Sequence, residues 1–390
     1  MNLKLGFLLF VNSLVLLLIA NTLSISFLES ELFFHSNSPL AHIVRVATSL
    51  FGQNDIALRL PMIVFHLLSV YLLYEVSKPM LENPRERLYM VSVYSLLPGV
   101  ISASLAVNMA GVVIFLTLFY LFVREKNEIY SYFVLAFVLF VDPAFAMLYL
   151  ALFIYALYEK RSYFALSMFV LFILSMTLLG FETHGKPKTY FLDTFAVYSA
   201  IFSPLLFIYL FYTLYRMLIK EKKNLLFFIA ITSLGFTLLL SFRQRVPIES
   251  FAPFLVISMP LVAQMFLRSY RVRLKEHRSS YRRFLSVTVG VLLLSSLSMI
   301  FNPLWYLFLK NPNKHFVRKN HIAKELSVEL KKLGISSVSS NDKEMLQRLK
   351  YYGIDTKGSY ILSNDELVNS KKITIVYMGV EVGEYYILMI

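Results

Sequence analysis

Residues 60–77 read LPMIVFHLLSVYLLYEVS, an apolar run set between Arg59 and Lys78 and carrying a single formal charge, Glu75. Such a run is close to the ~20 residues needed to cross the ~30 Å hydrocarbon core of a bilayer. Working outward, comparable runs fall at 5–25, 88–104, 108–123, 129–142, 143–158, 163–181, 194–215, 225–241, 250–267 and 285–303. With 60–77 they make about eleven expected transmembrane helices. The composition agrees: 57% of the 390 residues are hydrophobic and only 16% charged, against roughly 45–50% apolar in a soluble domain. A soluble globular chain is excluded, as are collagenous and disordered ones. The absence of cysteine excludes a disulfide framework, thiolate metal sites and cysteine nucleophiles.

The net charge of +14 suggests at first an acidic or nucleic-acid partner. Its distribution answers otherwise. With the N-terminus placed inside, nineteen Lys and Arg fall in inside loops, seven of them between Arg268 and Arg283. Six fall outside: Arg45, Arg59, Lys186, Lys188, Arg243 and Arg245. The positive-inside rule therefore predicts a multi-pass plasma (inner) membrane protein, N-terminus cytoplasmic, whose basic runs set topology and meet membrane lipids, with no nucleic acid as partner. The first apolar run is too long for the core of a cleaved signal peptide and reads as a retained helix.

From about Trp305 the composition changes. Trp305 and Tyr306 have the character of residues at a membrane interface, and beyond Lys310 the chain turns polar. An amphipathic helix over 319–333 ending at Gly334, a strand at 335–340, a capping box from Asn341 to Glu344, and β-rich runs at 373–378 and 384–390 predict a small α/β domain. The expected organisation is a membrane domain over 1–305 and an extracytoplasmic α/β domain over 311–390. The latter holds no glycine-rich phosphate loop, nucleophile elbow or metal-binding His pair, which suits a lid or docking module.

Candidate chemistry then lies in the outside loops, where ionisable groups near the bilayer need a reason to be. The first loop carries Glu29, Glu31 and His35, then Ser38-Pro39-Leu40. Over 39–51, Leu40, Ile43, Val44, Ala47, Leu50 and Phe51 form one face of a helix expected to lie in the interface plane. A carboxylate carried beside it, Glu29 or Glu31, could take a proton from an incoming hydroxyl or amine; the alternative is two solvated loop acids. Arg243-Gln244-Arg245-Val246-Pro247 offers two guanidinium forks suited to a lipid-linked phosphate, or simply snorkelling to head groups. The loop with Glu182, His184, Lys186, Lys188 and Asp193 could complete a phosphate or sugar site, or be an ordinary polar loop.

Phe51-Gly52-Gln53-Asn54-Asp55-Ile56-Ala57-Leu58-Arg59-Leu60-Pro61 resembles the "LFG…ALRLP" stretch of bacterial GT-C glycosyltransferases, the protein-O-mannosyltransferase-like and aminoarabinose-transferase-like enzymes. His35 to Leu40 looks like a worn form of their "HPPL" turn, and Arg243 to Pro247 is similar to their "R-Y/F-x-x-P". The resemblance implies a GT-C-like α-helical polytopic fold and transfer of a sugar from a polyprenyl-phosphate donor to a glycan, lipid or protein acceptor on the outer face. The family's first-loop acid falls on Glu29 or Glu31, and its phosphate arginine on Arg243 or Arg245. Lys186 and Lys188 would add to phosphate binding, with His35 and His184 as accessories. No cofactor is required by this reading, and a divalent cation is left open. The chain departs from the family's pattern in a short first loop, in Glu where Asp is commoner, in Ser38 for the first proline, and in Ala106-Val107-Asn108-Met109 where relatives often place Arg and Asp. Two other classes remain: a transporter or flippase, which should show internal repeats and mid-helix acids, and a non-catalytic envelope scaffold, which would tolerate loss of the first-loop acids.

Overall fold

A computed structural model describes residues 3–180, 189–301, 306, 319–356, 358–365, 370–377 and 379–389. The described residues are mostly helical, with a three-stranded sheet near the C-terminus. They divide into two compact units: Met1–Ser13, Val64–Ser104 and Asn108–Ser296, and, second, Leu14–Ile63, Leu105–Val107 and Leu297–Ile390. Of the expected boundary between 305 and 311, Tyr306 alone is among the described residues.

The first unit is a bundle of apolar helices. It takes the N-terminal part of α1 (Leu3–Thr22), the C-terminal part of α4 (Asp55–Val76), and then α5 (Pro84–Ser95), α6 (Pro98–Leu105), α7 (Met109–Lys126), α8 (Glu128–Val138), α9 (Phe145–Tyr158) and α10 (Ser162–Leu178). Beyond Thr189 follow α11 (Phe191–Phe202), α12 (Pro204–Lys220), α13 (Leu225–Ser241), α14 (Ile248–Val256), α15 (Met259–Val272) and α16 (Lys275–Ile300). Short polar punctuation stops and starts them. Asn127 ends α7 and starts α8, its Oδ1 accepting from the Ile129 amide at 2.9 Å, which satisfies a donor that a helix start leaves bare. Inside the bundle, polar side chains are bonded where water is absent: Tyr149 Oη donates to the Leu135 carbonyl at 2.7 Å, Tyr198 Oη to Thr237 Oγ1 at 3.1 Å, and Ser233 Oγ to the Phe251 carbonyl at 2.8 Å.

Each apolar run of the sequence is helical, but not each is a straight crossing. Among the described residues four helices are long and apolar enough to span a membrane, α14 and α15 counting as one, and six if each bent pair is a single span. Of the eleven expected crossings, four to six meet this test of length and composition among the described residues, and further apolar helices are shorter. At ~1.5 Å per residue, the 11 residues of α8 or the 14 of α9 fall short of a ~30 Å core. The segment at 88–104 is α5 and α6, bent by 66°, and 194–215 is α11 and α12, bent by 105° at Ser203-Pro204. Proline disfavours the helical region for the residue before it, and Ser203 sits at φ 70°.

The second unit joins the segment after α1 to the C-terminal residues. It holds α2 (Phe27–His35), α3 (Pro39–Phe51), the start of α4, α17 (Lys319–Lys332), α18 (Lys343–Tyr351), β1 (Tyr360–Ser363), β2 (Lys371–Tyr377) and β3 (Val380–Met389). The sheet is antiparallel in the order β1-β3-β2. Ile373, Ile375 and Tyr377 alternate inward along β2, as the period of a strand dictates. Ile322, Leu326 and Leu330, one face of α17, close this core.

The C-terminal pattern was largely legible. The helix before Gly334 and the two β-rich runs are present, Gly334 taking the φ of +74° that suits glycine past a helix end. Three readings change. The stretch 335–340 forms isolated bridges at Ser337 and Ser339 instead of a strand. The cap of α18 is Asp342, whose Oδ1 accepts from the Met345 amide at 3.0 Å, not Asn341. Tyr306 is buried in the core against Tyr377 and is not at an interface; Trp305 lies outside the described residues.

Candidate functional site

Local sequence builds the first loop. Ser26 caps α2, its Oγ accepting from the Glu29 amide at 3.2 Å while the Ser26 amide donates back to Glu29 Oε2 at 2.8 Å, a reciprocal capping box. Ser38 caps α3 with Pro39 at its first position, where a missing N–H costs nothing. Gly52 ends α3 at φ +84°, a conformation that favours glycine. Asn54 Oδ1 then accepts from the Ala57 amide at 2.8 Å and starts α4.

The buried face of α3 is Leu40, Ala41, Val44, Ala47 and Thr48, leaving Ile43, Val46, Leu50 and Phe51 exposed. The apolar face expected over 39–51 is thus partly buried and partly bare. The helix packs inward on one side and carries a bare apolar stripe, Ile43-Val46-Leu50, on another.

Arg59 is the centre of the loop. It is 2% exposed, reached by Glu29 at 4% and Asp55 at 3%. Its Nη2 donates to Glu29 Oε2 at 3.1 Å and to the Ser24 carbonyl at 3.0 Å. Its Nη1 donates to the Leu23 carbonyl at 2.9 Å and lies 3.8 Å from Asp55 Oδ1. Glu29 is held further through Oε1, which accepts from the Val107 amide at 3.1 Å. Asp55 accepts from Lys324 Nζ on Oδ2 at 2.8 Å and from Tyr352 Oη on Oδ1 at 2.6 Å. Two carboxylates thus meet one guanidinium and one ammonium, a balance that buried charges require. Tyr352 Oη also accepts from the Ile25 amide at 2.8 Å. Burial, then the Asp55 carboxylate, raises the pKa of Tyr352 well above the usual phenol range, and burial followed by Asp55 does the same for Tyr351. Both stay protonated donors at neutral pH.

Glu29 and Glu31 share α2 and differ in surroundings. Glu29 is buried with its two oxygens taking three donors, whereas Glu31 is exposed, as is His35 at the end of the helix. Arg243 and Arg245 are exposed in the turn from α13 to α14 in the first unit, around half-buried Gln244 and before buried Val246. His184, Lys186 and Lys188 lie outside the described residues. Among the described residues no three His, Cys, Asp or Glu side chains gather as a metal site. Sequence reasoning missed Asp55, Arg59, Lys324 and Tyr352 as partners. A carboxylate and an arginine one turn apart at the mouth of an apolar helix were a signal for the first two. None existed for Lys324 and Tyr352, the latter 297 positions from its partner.

Residues 38–185 match the family described as dolichyl-phosphate-mannose-protein mannosyltransferase. The match runs from the cap of α3 through α10 and includes Gly52, Asp55 and Arg59; Glu29, Glu31, Arg243 and Arg245 lie outside it. This is a family of membrane glycosyltransferases of the GT-C type, as the resemblance of 51–61 implied. No curated protein matches the chain.

Proposed function

We propose that this multi-pass membrane protein, a glycosyltransferase of the GT-C type by its family, moves a sugar from a polyprenyl-phosphate donor to an acceptor on the extracytoplasmic face. The observation that carries the reading is the unequal pair on α2. Glu29 is spent as an internal anchor by Arg59 and the Val107 amide, and Glu31, one residue past buried Ser30, is left exposed on a helix that cannot shift without breaking that anchor. Glu31 takes the proton of the acceptor hydroxyl as its oxygen bonds to the anomeric carbon. The bond from that carbon to the phosphate oxygen breaks, and the electron pair leaves with polyprenyl phosphate. The departing phosphate gains one negative charge, which Arg243 and Arg245 are proposed to stabilise by charge-assisted hydrogen bonds; Lys186 and Lys188 keep the same proposed role. The bare Ile43-Val46-Leu50 stripe of α3 supports a helix resting on the membrane surface.

Glu31→Gln removes the base while keeping shape and is expected to lower transfer from a polyprenyl-phosphate sugar ~10²–10⁴-fold, with Arg243→Ala also lowering it. The measurement is radiolabelled sugar transfer in proteoliposomes, with the cellular glycoconjugate profile beside it. If both variants transfer like the parent chain, the reading fails.

A further inference from the structure

We infer that Lys324 and Tyr352, two residues of the C-terminal segment, are positioning residues for this transfer: they fix Asp55, and through Arg59 they fix Glu29 and the helix that bears Glu31. The inference rests on the proposed function and adds to it a part that neither the family match, which ends at 185, nor the first loop contains.

The geometry is a chain of charges with one end on each segment. Lys324 Nζ reaches Asp55 Oδ2 at 2.8 Å and also the Asn21 carbonyl at 2.9 Å, so it ties the end of α1 to the start of α4. Tyr352 Oη donates to Asp55 Oδ1 and takes the Ile25 amide, so it ties the same carboxylate to the chain entering α2. Asp55 then faces Arg59, and Arg59 holds Glu29. Neighbouring contacts brace the same helix: Tyr351 Oη donates to the Asn54 carbonyl at 2.9 Å, and its ring meets Phe33 of α2 edge-on at 5.3 Å. Besides its apolar face, α17 contributes a cation with a third of its side-chain surface still exposed, aimed at the acid whose carboxylate Arg59 reaches only at 3.8 Å. Without it, Asp55 would draw the guanidinium away from Glu29, and α2 would lose its anchor.

The test uses the full chain in lipid nanodiscs. Lys324→Met and Tyr352→Phe are expected to lower kcat ~10–100-fold with KM changed less than about threefold, because substrate contacts are untouched. Lys324→Arg should restore most of the loss. Hydrogen exchange over 27–35 should rise in both variants while exchange over the β2 and β3 strands stays that of the parent chain. The double variant Lys324→Met with Asp55→Asn should be less impaired than the two losses multiplied, since the pair acts as a unit. Unchanged protection over 27–35 in folded Lys324→Met would overturn the inference, as would a loss confined to KM. If the parent chain transfers no sugar at all, the proposed function falls, and the exchange experiment still reads whether Lys324 and Tyr352 position α2.

Discussion

Arg59 shows how one side chain can be both a motif letter and the reason the motif exists. Its guanidinium serves three carbonyls, one buried carboxylate at hydrogen-bond distance and a second nearby. Removing it leaves the Glu29 carboxylate, 4% exposed, without its cation, while Asp55 keeps Lys324. Arg59→Met, which keeps the apolar stem, is therefore expected to destabilise the protein by ~3–5 kcal/mol. Arg243→Met, at an exposed position, is expected to stay within ~0.5 kcal/mol. Thermal unfolding of the two purified variants checks this, and equal midpoints would mean that Arg59 is not the keystone of the first loop. The sequence made Glu29, Glu31, Arg243 and Arg245 visible because charge is rare in this chain. It could not divide Glu29 from Glu31, because burial depends on Arg59 and Val107 folding back onto α2 from 30 and 78 positions away.

At the scale of elements, periodicity carried far and breaks carried less. Leu326 and Leu330 on α17, and Ile373 and Ile375 on β2, sit inward as a 3.6 or a 2 period demands. Apolar runs without contrast hide their bends, since a helix that is apolar all round has no face to shift. The α11–α12 junction is the clearest case. Ser203 holds φ 70° and ψ 146° ahead of Pro204, close to a region that essentially only glycine occupies, at a cost of about 1–3 kcal/mol. The dipeptide itself was the signal. Ser203→Gly should relieve the strain and raise stability by ~1 kcal/mol, read as a higher unfolding midpoint in detergent. A lower midpoint would show that the hydroxyl, not the backbone, matters at this turn.

At the scale of the molecule, charge sorts the ends of the helices. Arg268, Arg271, Arg273, Lys275, Arg278, Arg282 and Arg283 crowd the α15–α16 connection, against three acids near it, Glu276, Glu86 and Glu221. Moving that connection across a bilayer would carry a large excess of positive charge past a low-dielectric core, so its expected place is the cytoplasmic side. If α16, long and apolar enough to span, does cross, the C-terminal residues, which share one compact unit with the first loop, are expected on the opposite face. That co-location is consistent with the charge argument, for Glu29, Asp55 and Lys324 cannot pair from opposite sides of a membrane. The chain has no cysteine, so single cysteines report cleanly. Lys371→Cys, exposed at the start of β2, should react with a membrane-impermeant maleimide added to cells whose inner membrane is intact and exposed to the reagent; Ser279→Cys, exposed in α16, should react only after lysis. The reverse pattern would invert the topology and move the proposed transfer to the cytoplasmic face. Labelling of both positions in intact cells would break the link between α16 and a crossing, leaving the basic cluster without the role assigned to it.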